Sequence, residues 1–248
     1  MEERKFFHSK PHSFSISEVD TSRRARPSAL LCLTQDIAGE HFERFGAGGP
    51  ASAADRSLMW IITRMQMAVE RMPEYMETVT LETWTGRVSH GMFRRNFRFV
   101  DCEGKELVRA ASVWALMRAE DRSLVMDPAA AGVDVPACPG MEDPAMPGKI
   151  RLPELTERSF RAARYSELDM NGHLNNTRYL DWAEDLLSRE YHESHDLRGF
   201  SIHYRSEIRA DAEAELRWAL TEDGVLACRG FVNGGEAFTV TQQYTKKA

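Results

Sequence analysis

The strongest constraint on this chain is that it repeats itself. With Glu18-Val19-Asp20 set against Glu167-Leu168-Asp169, an offset of 149 with no gap, Leu30, Leu33, Thr34, Ile37 and Ala38 fall opposite Tyr179, Trp182, Ala183, Leu186 and Leu187. Each set follows the i, i+3, i+4, i+7, i+8 stripe of a helix with one buried face. Strand-like runs follow each stripe: LMWIITRMQMAV, ETVTLETWTGRV, MFRRNFRFVD and KELVRAASVWALMR, then FSIHYRSEIR, EAELRWALTE, VLACRGFV and EAFTVTQQYT. Turn signals at Glu103-Gly104, Asp223-Gly224 and Asn233-Gly234-Gly235 separate several of them. Between the halves, five of the ten prolines (Pro128, Pro136, Pro139, Pro144, Pro147) fall within the 24 residues from Asp127 to Ile150, a stretch without apolar periodicity that reads as a linker.

One long helix against a curved antiparallel sheet, present twice, predicts an α+β tandem (double) hotdog. The amino-terminal copy occupies 1–127, the proline-rich linker 128–149 and the carboxy-terminal copy 150–248. A 248-residue chain with 42% hydrophobic and 28% charged residues can bury such a core, which excludes disorder and disulfide-stapled mini-scaffolds. Cys32, Cys102, Cys138 and Cys228 lie far apart without a CxxC pair, and the charged start MEERKFFHSK has no apolar run behind it. Reduced thiols in a cytoplasmic protein are expected, with no membrane span. A net charge of -6 disfavours a nucleic-acid partner. His192 and His195 lack an HExxH frame or a third ligand, so neither a metal nor another cofactor is expected.

The chemistry-bearing stretch runs from Tyr165 to Tyr179. Asp169, Asn171 and His173 alternate, so an extended segment would point all three side chains to one side. Asn175 and Asn176 follow where the helical stripe begins, and Asn is a preferred N-cap. Turn formers before a helix usually signify an Asx turn and a cap. A carboxylate, an amide and an imidazole at one helix start instead suggest a site. In IHYRSEIRA, alternation continued from Ile202 to Arg209 places Glu207 on a polar strand face among His203, Arg205 and Arg209.

DMNGHLNN, the helix after it and Tyr204-Arg-Ser-Glu207 resemble the active-site region of acyl-acyl-carrier-protein thioesterases, plant and bacterial enzymes that end fatty-acid synthesis. RPSALLCLTQDIAGEHFERFG and WIITRMQMAVERMPEYMETVTLETWTG, with Trp60, Thr63-Arg64, Pro73 and Glu82-Thr83-Trp84, resemble that family's amino-terminal hotdog. The resemblance covers most of the chain outside the linker. It implies hydrolysis of an acyl-carrier-protein thioester, with Asp169, Asn171, His173 and Glu207 as the catalytic set. Some members carry a cysteine directly after the glutamate; Ile208 stands there here, so a covalent Cys-His route cannot run at that position. Carboxylate chemistry remains: Asp169 or Glu207 as base or nucleophile, Asn171 and His173 orienting, and backbone N–H groups near Asn175 and Asn176 facing the developing oxyanion.

Under the 149 offset, Asp20 matches Asp169, but Ser22 and Arg24 replace the amide and imidazole, and Met65-Gln66-Met67 falls about where Arg205-Ser206-Glu207 lies. The first copy therefore lacks the chemistry. Met59, Met65, Met67, Met72, Met76 and Met92 of this copy, six of the chain's twelve methionines, suit an adaptable apolar pocket. With the resemblance, Met65 and Met67 become acyl-chain contacts, and Asn175, Asn176 and Arg205 contacts near the thioester. The insert Gly46 to Ser57 reads as a tolerated insertion. Lys149, Arg151, Arg158, Arg161 and Arg164 lead into the catalytic stretch and offer an acidic carrier protein a positive face. A monomer with an internal pseudo-dimer, or a homodimer, is expected. The rival readings are an acyl-coenzyme A thioesterase, a hydratase or dehydratase using the same His and acid, and a non-catalytic acyl-thioester sensor.

Overall fold

The structure, a computed structural model, describes residues 6–45, 57–143 and 147–247. The first copy contains β1 (Phe7–Ser13), α1 (Pro27–Phe45), β2 (Leu58–Val69), β3 (Thr78–Thr85), β4 (Met92–Val100) and β5 (Glu106–Arg118). The second contains β6 (Glu157–Ala162), α2 (Arg178–Glu184), α3 (Arg189–Ser194), β7 (His195–Tyr204), β8 (Glu213–Leu220), β9 (Val225–Val232) and β10 (Gly235–Lys246). The strands form one antiparallel sheet in the order β1-β3-β4-β5-β2-β7-β10-β9-β8-β6. Each half repeats the other outward from the β2/β7 seam, giving the tandem hotdog that the repeat predicts. The insert 46–56 and the linker residues 144–146 lie outside the described residues. Among the described residues no helix is long and apolar enough to cross a membrane.

The seam pairs Met65 with Ile202, Gln66 with Ser201 and Met67 with Phe200. Gly199 permits this approach, because a Cβ there would sit 2.5 Å from the Met67 carbonyl oxygen. Within β2 the register slips between Ile62 and Arg64, so Thr63 is an extra residue. Such a bulge shifts the side-chain alternation by one place, which carries the inward face of Met65 and Met67 on through Ile62 and Trp60.

α1 starts with Pro27 at a position that needs no N–H, and it buries Leu30, Leu33, Thr34, Ile37 and Ala38 as the stripe requires. Each buried leucine or isoleucine contributes roughly 1.5–3 kcal/mol. The second copy departs from the expected single long helix. Tyr179, Trp182 and Ala183 are buried, but α2 stops at Glu184, and Leu186 and Leu187 pack on the core from a turn. The cause is local: the Ser188 hydroxyl accepts the Tyr191 N–H at 3.2 Å and starts α3 as a fresh helix. A second correction concerns the strand that was to carry Glu207. β7 ends at Tyr204, where the Arg205 and Ser206 N–H groups both turn to the Ala237 carbonyl, and Glu207 stands on an irregular segment beyond it.

The proline-rich segment is packed chain for much of its length. Val133 and Val135 are buried with Leu58, Phe93, Leu116 and Val125. Thr85 donates to the Pro136 carbonyl at 2.7 Å and Trp84 Nε1 to that of Glu142 at 2.8 Å. The chain then crosses the seam, where Arg64 donates to the Pro147 carbonyl at 3.1 Å and His203 Nε2 lies 2.8 Å from that of Gly148.

Candidate active site

The segment from Asp169 to His173 is a tight turn, not the extended run that its alternation suggests. Asp169 Oδ1 accepts the N–H of Asn171 at 2.8 Å and of His173 at 3.2 Å; the Asp169 N–H returns to the His173 carbonyl at 2.8 Å. Gly172 takes φ 76°, which an L side chain seldom adopts. The first copy repeats this turn at the 149 offset: Asp20 Oδ1 accepts from Ser22 at 2.8 Å and Arg24 at 3.1 Å, and Arg23 takes φ 62°. The two aspartates therefore share a structural role, and only the residues they display differ.

His173 reaches Glu207 across the 34 positions between them: Nε2 and Oε2 are 3.4 Å apart. The same oxygen accepts from Arg122 Nη1 at 3.1 Å. The turn is docked beside Glu207 by the Leu174 N–H, which donates to the Ile208 carbonyl at 2.7 Å. Among the described residues, Asp169 Oδ2 and Glu207 Oε1 make no hydrogen bond. Tyr179 lies near both acids: burial first, then the charges of Glu207 and Asp169, push its phenol well above the usual range. Of the expected set, the structure joins His173 to Glu207 and places Asp169 in the adjoining turn. Asn171 is exposed and its side chain makes no hydrogen bond among the described residues.

Ahead of α2, Asn175 Oδ1 accepts the Thr177 N–H at 3.0 Å and hydroxyl at 2.8 Å, the expected Asx turn, but the N-cap itself is Thr177 and not an asparagine. The Asn175 N–H is taken by the Glu167 carbonyl at 2.9 Å. The expected oxyanion donors thus reduce to the Asn176 N–H, which has no partner among the described residues. Gln35 of α1 donates to the Asn176 side chain, and the Tyr204 hydroxyl to its carbonyl at 3.0 Å. Both residues also line a narrow cleft between α1 and the sheet, with Leu31, Ile62, Met65 and Trp114 among its walls.

Met67 needs correcting. It is buried at the seam opposite Phe200 and is not a wall of that cleft. Nor does it stand at the position of Glu207. In the first copy the Ala25 N–H donates to the Pro73 carbonyl at 2.8 Å, as Leu174 does to Ile208, so Met72 is the counterpart of Glu207. The sequence comparison missed this because the halves differ in length between helix and strand. Arg205 also turns away, pairing with Glu236 at 3.2 Å rather than flanking Glu207. In the basic run, Arg158 and Arg161 are tied to Glu215 and Glu167. Lys149, Arg151 and Arg164 are exposed and make no ion pair among the described residues. Exposed Tyr165 and Met170 lie beside them along the chain. Arg122 and Gln35, which sequence reasoning did not select, and Tyr204, quoted there only as the start of the run that ends in Glu207, become neighbours of the site through the fold.

Residues 5–128 match the family model of the acyl-ACP thioesterase N-terminal domain and residues 152–243 that of the C-terminal domain. Among curated proteins, the chain is 30% identical over 217 residues to the chloroplastic acyl-[acyl-carrier-protein] hydrolase FATB3 of Cuphea viscosissima, covering 82% of this chain and 53% of that protein. It is 30% identical over 233 residues to the chloroplastic dodecanoyl-[acyl-carrier-protein] hydrolase of Umbellularia californica, covering 89% and 58%. The chain thus spans about half the length of the curated relatives it matches. Among solved structures, an acyl-ACP thioesterase from Bacteroides thetaiotaomicron superposes with a TM-score of 0.83 at 23% identity, covering 99% of this chain and 100% of that one. The 12:0-ACP thioesterase from Umbellularia californica gives 0.84 at 24%, covering 97% and 98%. A MaoC-like dehydratase from Phytophthora capsici shares the fold more loosely, at 0.61 and 12% identity over 98% and 97%. Fold alone therefore does not select a reaction.

Proposed function

This chain belongs to the acyl-ACP thioesterase family, and from that membership we propose that it hydrolyses acyl-acyl-carrier protein, releasing a free fatty acid. The observation that carries the reading is the contact of His173 with Glu207, at 3.4 Å, beside a second carboxylate in the turn of Asp169. Water adds to the acyl carbon while a free carboxylate oxygen, Asp169 Oδ2 or Glu207 Oε1, takes its proton. The C–S bond then breaks, and that same proton passes from the carboxylic acid through His173, which lies against Glu207, to the leaving sulfur, so that the carboxylate is restored. A positioned base of this kind supplies about 10²–10⁴-fold of the rate. The Asn176 N–H is the available backbone donor for the oxyanion. The side chain of Asn171, exposed on the turn, orients the incoming thioester.

The two copies divide the work, residues 1–127 holding the acyl chain and 150–248 cutting the thioester, with 128–149 joining them. Tyr204 supports this division: it walls the cleft under α1 and also holds the carbonyl of Asn176 at the start of α2. Lys149, Arg151 and Arg164, beside exposed Tyr165 and Met170, suit an acidic carrier protein. The paired halves already complete the sheet, so a monomer suffices. The four cysteines are unpaired, which fits a reducing compartment such as the cytoplasm.

Mass spectrometry of free acids released from matched panels of acyl-carrier proteins and acyl-coenzyme A thioesters tests the proposal. Release from the carrier-bound panel at the higher kcat/KM is expected. Faster release from coenzyme A would favour the acyl-coenzyme A reading, and tight binding without release a sensor.

A further inference from the structure

Glu207 has little in its own neighbourhood of sequence to hold it. It follows the end of β7, Arg205 pairs with Glu236, and Arg209 makes no ion pair among the described residues. Among the described residues its carboxylate has two polar contacts, His173 Nε2 at 3.4 Å and Arg122 Nη1 at 3.1 Å, and both fall on Oε2. We infer that Arg122, a residue of the amino-terminal half, is the positioning residue for Glu207. The inference rests on the catalytic reading of Glu207 given above.

The backbone that carries Arg122 is specified independently of the ion pair. It lies just past β5, where the Arg122 N–H donates to the Arg118 carbonyl at 3.1 Å and the Arg118 N–H to that of Ser123 at 2.9 Å. Asp121 Oδ1 locks the turn by accepting the Ser123 N–H at 2.9 Å and hydroxyl at 2.7 Å. Arg122 itself takes φ 59°, the left-handed region that a residue with a Cβ enters only when its surroundings impose it. The turn thus fixes where the arginine starts, and the guanidinium spans from one half to the other.

An exposed ion pair adds little to stability, and both of these side chains are partly exposed. Its effect lies in geometry. Tethering Oε2 from two sides stops the carboxylate from rotating and leaves Oε1 as the oxygen available to water or the acyl group. The first half therefore contributes to the chemistry as well as to acyl binding.

The test is a double-mutant cycle on acyl-carrier-protein hydrolysis with Arg122→Ala, Glu207→Gln and the pair, together with Arg122→Lys. If Arg122 acts through Glu207, Arg122→Ala lowers kcat by about tenfold with KM changed less than about twofold. Arg122→Lys recovers most of that loss. In the Glu207→Gln background, Arg122→Ala causes no further loss, as expected for two groups acting as one unit. Additive losses, or a raised KM with kcat intact, would overturn the inference and make Arg122 a docking contact. Loss in Glu207→Gln with full activity in Arg122→Ala would overturn it while leaving the catalytic reading of Glu207. Full activity in Glu207→Gln would remove both.

Discussion

Asp169 and Asp20 make the same pair of backbone hydrogen bonds, so an alanine at Asp169 would disturb the turn and the chemistry together. Asn separates them. Its amide oxygen still accepts the two N–H groups while the free carboxylate oxygen is lost. Asp169→Asn is expected to reduce hydrolysis about 100-fold, the scale of a positioned base, with unchanged circular dichroism and melting temperature. Near-normal turnover would assign Asp169 to the turn alone. The cysteines give a second residue-level test. Cys228 is fully buried, and burial pushes its thiol up to about 12, so no thiolate forms there at neutral pH; Cys102 is exposed. Alkylation at pH 8 followed by peptide mass spectrometry should mark Cys102 and spare Cys228, with activity retained. Inactivation that tracks modification of Cys102 would point back to a thiol. These residues were legible because His173, Asp169 and Glu207 carry their chemistry in their side chains. Arg122 was not, because nothing in Asp121-Arg122-Ser123 distinguishes it from any polar turn until the turn is placed beside Glu207.

Among the elements, α2 holds a cost that pH exposes. Burial, then repulsion from Asp181 and Asp20, raises the Glu184 carboxyl from its ordinary 4.5 to about 8. The folded state then binds a proton that the unfolded state has released, so this group lowers stability as pH rises from about 4.5 to about 8 and adds no further change above that. Glu184→Gln should melt at the same temperature as the parent near pH 4 and higher at pH 8, by on the order of 2 kcal/mol. Identical melting at both pH values would show that Glu184 is solvated. At the seam, Gly199→Ala forces a Cβ against the Met67 carbonyl, where β2 and β7 meet. A backbone group cannot swing aside, and a loss of roughly 1–3 kcal/mol is expected by denaturant titration.

For the whole molecule, the division of labour makes two opposed predictions. Met65 walls the cleft beside Tyr204, and Trp114, held by its Nε1 donating to Ser112 Oγ at 2.8 Å, separates that cleft from a second one lined by Phe42, Trp60 and Phe93. Each void has a cavity volume of about 10 Å³, room for a single water, so an entering acyl chain must displace side chains. Met65→Phe stiffens the first wall and should move the released acids toward shorter chains. Trp114→Leu joins the clefts and should move them toward longer ones, each additional buried methylene contributing about 0.8 kcal/mol. Product profiles that stay fixed in both folded variants would place the acyl chain elsewhere.

The sequence by itself determined the duplication, the antiparallel strands, the buried stripe of α1 and the pairing of Asp20 with Asp169. These follow from periodicity and from turns whose bonds close within five residues, so the information is local. Tertiary structure decided what lies across a gap of unequal length. The offset that aligned the turns could not align Glu207, because the first half is longer between helix and strand and Met72, not Met67, takes the equivalent place. The break between α2 and α3 turned on whether one serine would start a second helix. The tether of Glu207 by Arg122 spans 85 positions and exists only because the β2/β7 seam brings the end of β5 beside the end of β7. Contacts of that reach leave no periodic mark on either segment, since each residue's own neighbours are satisfied without the other.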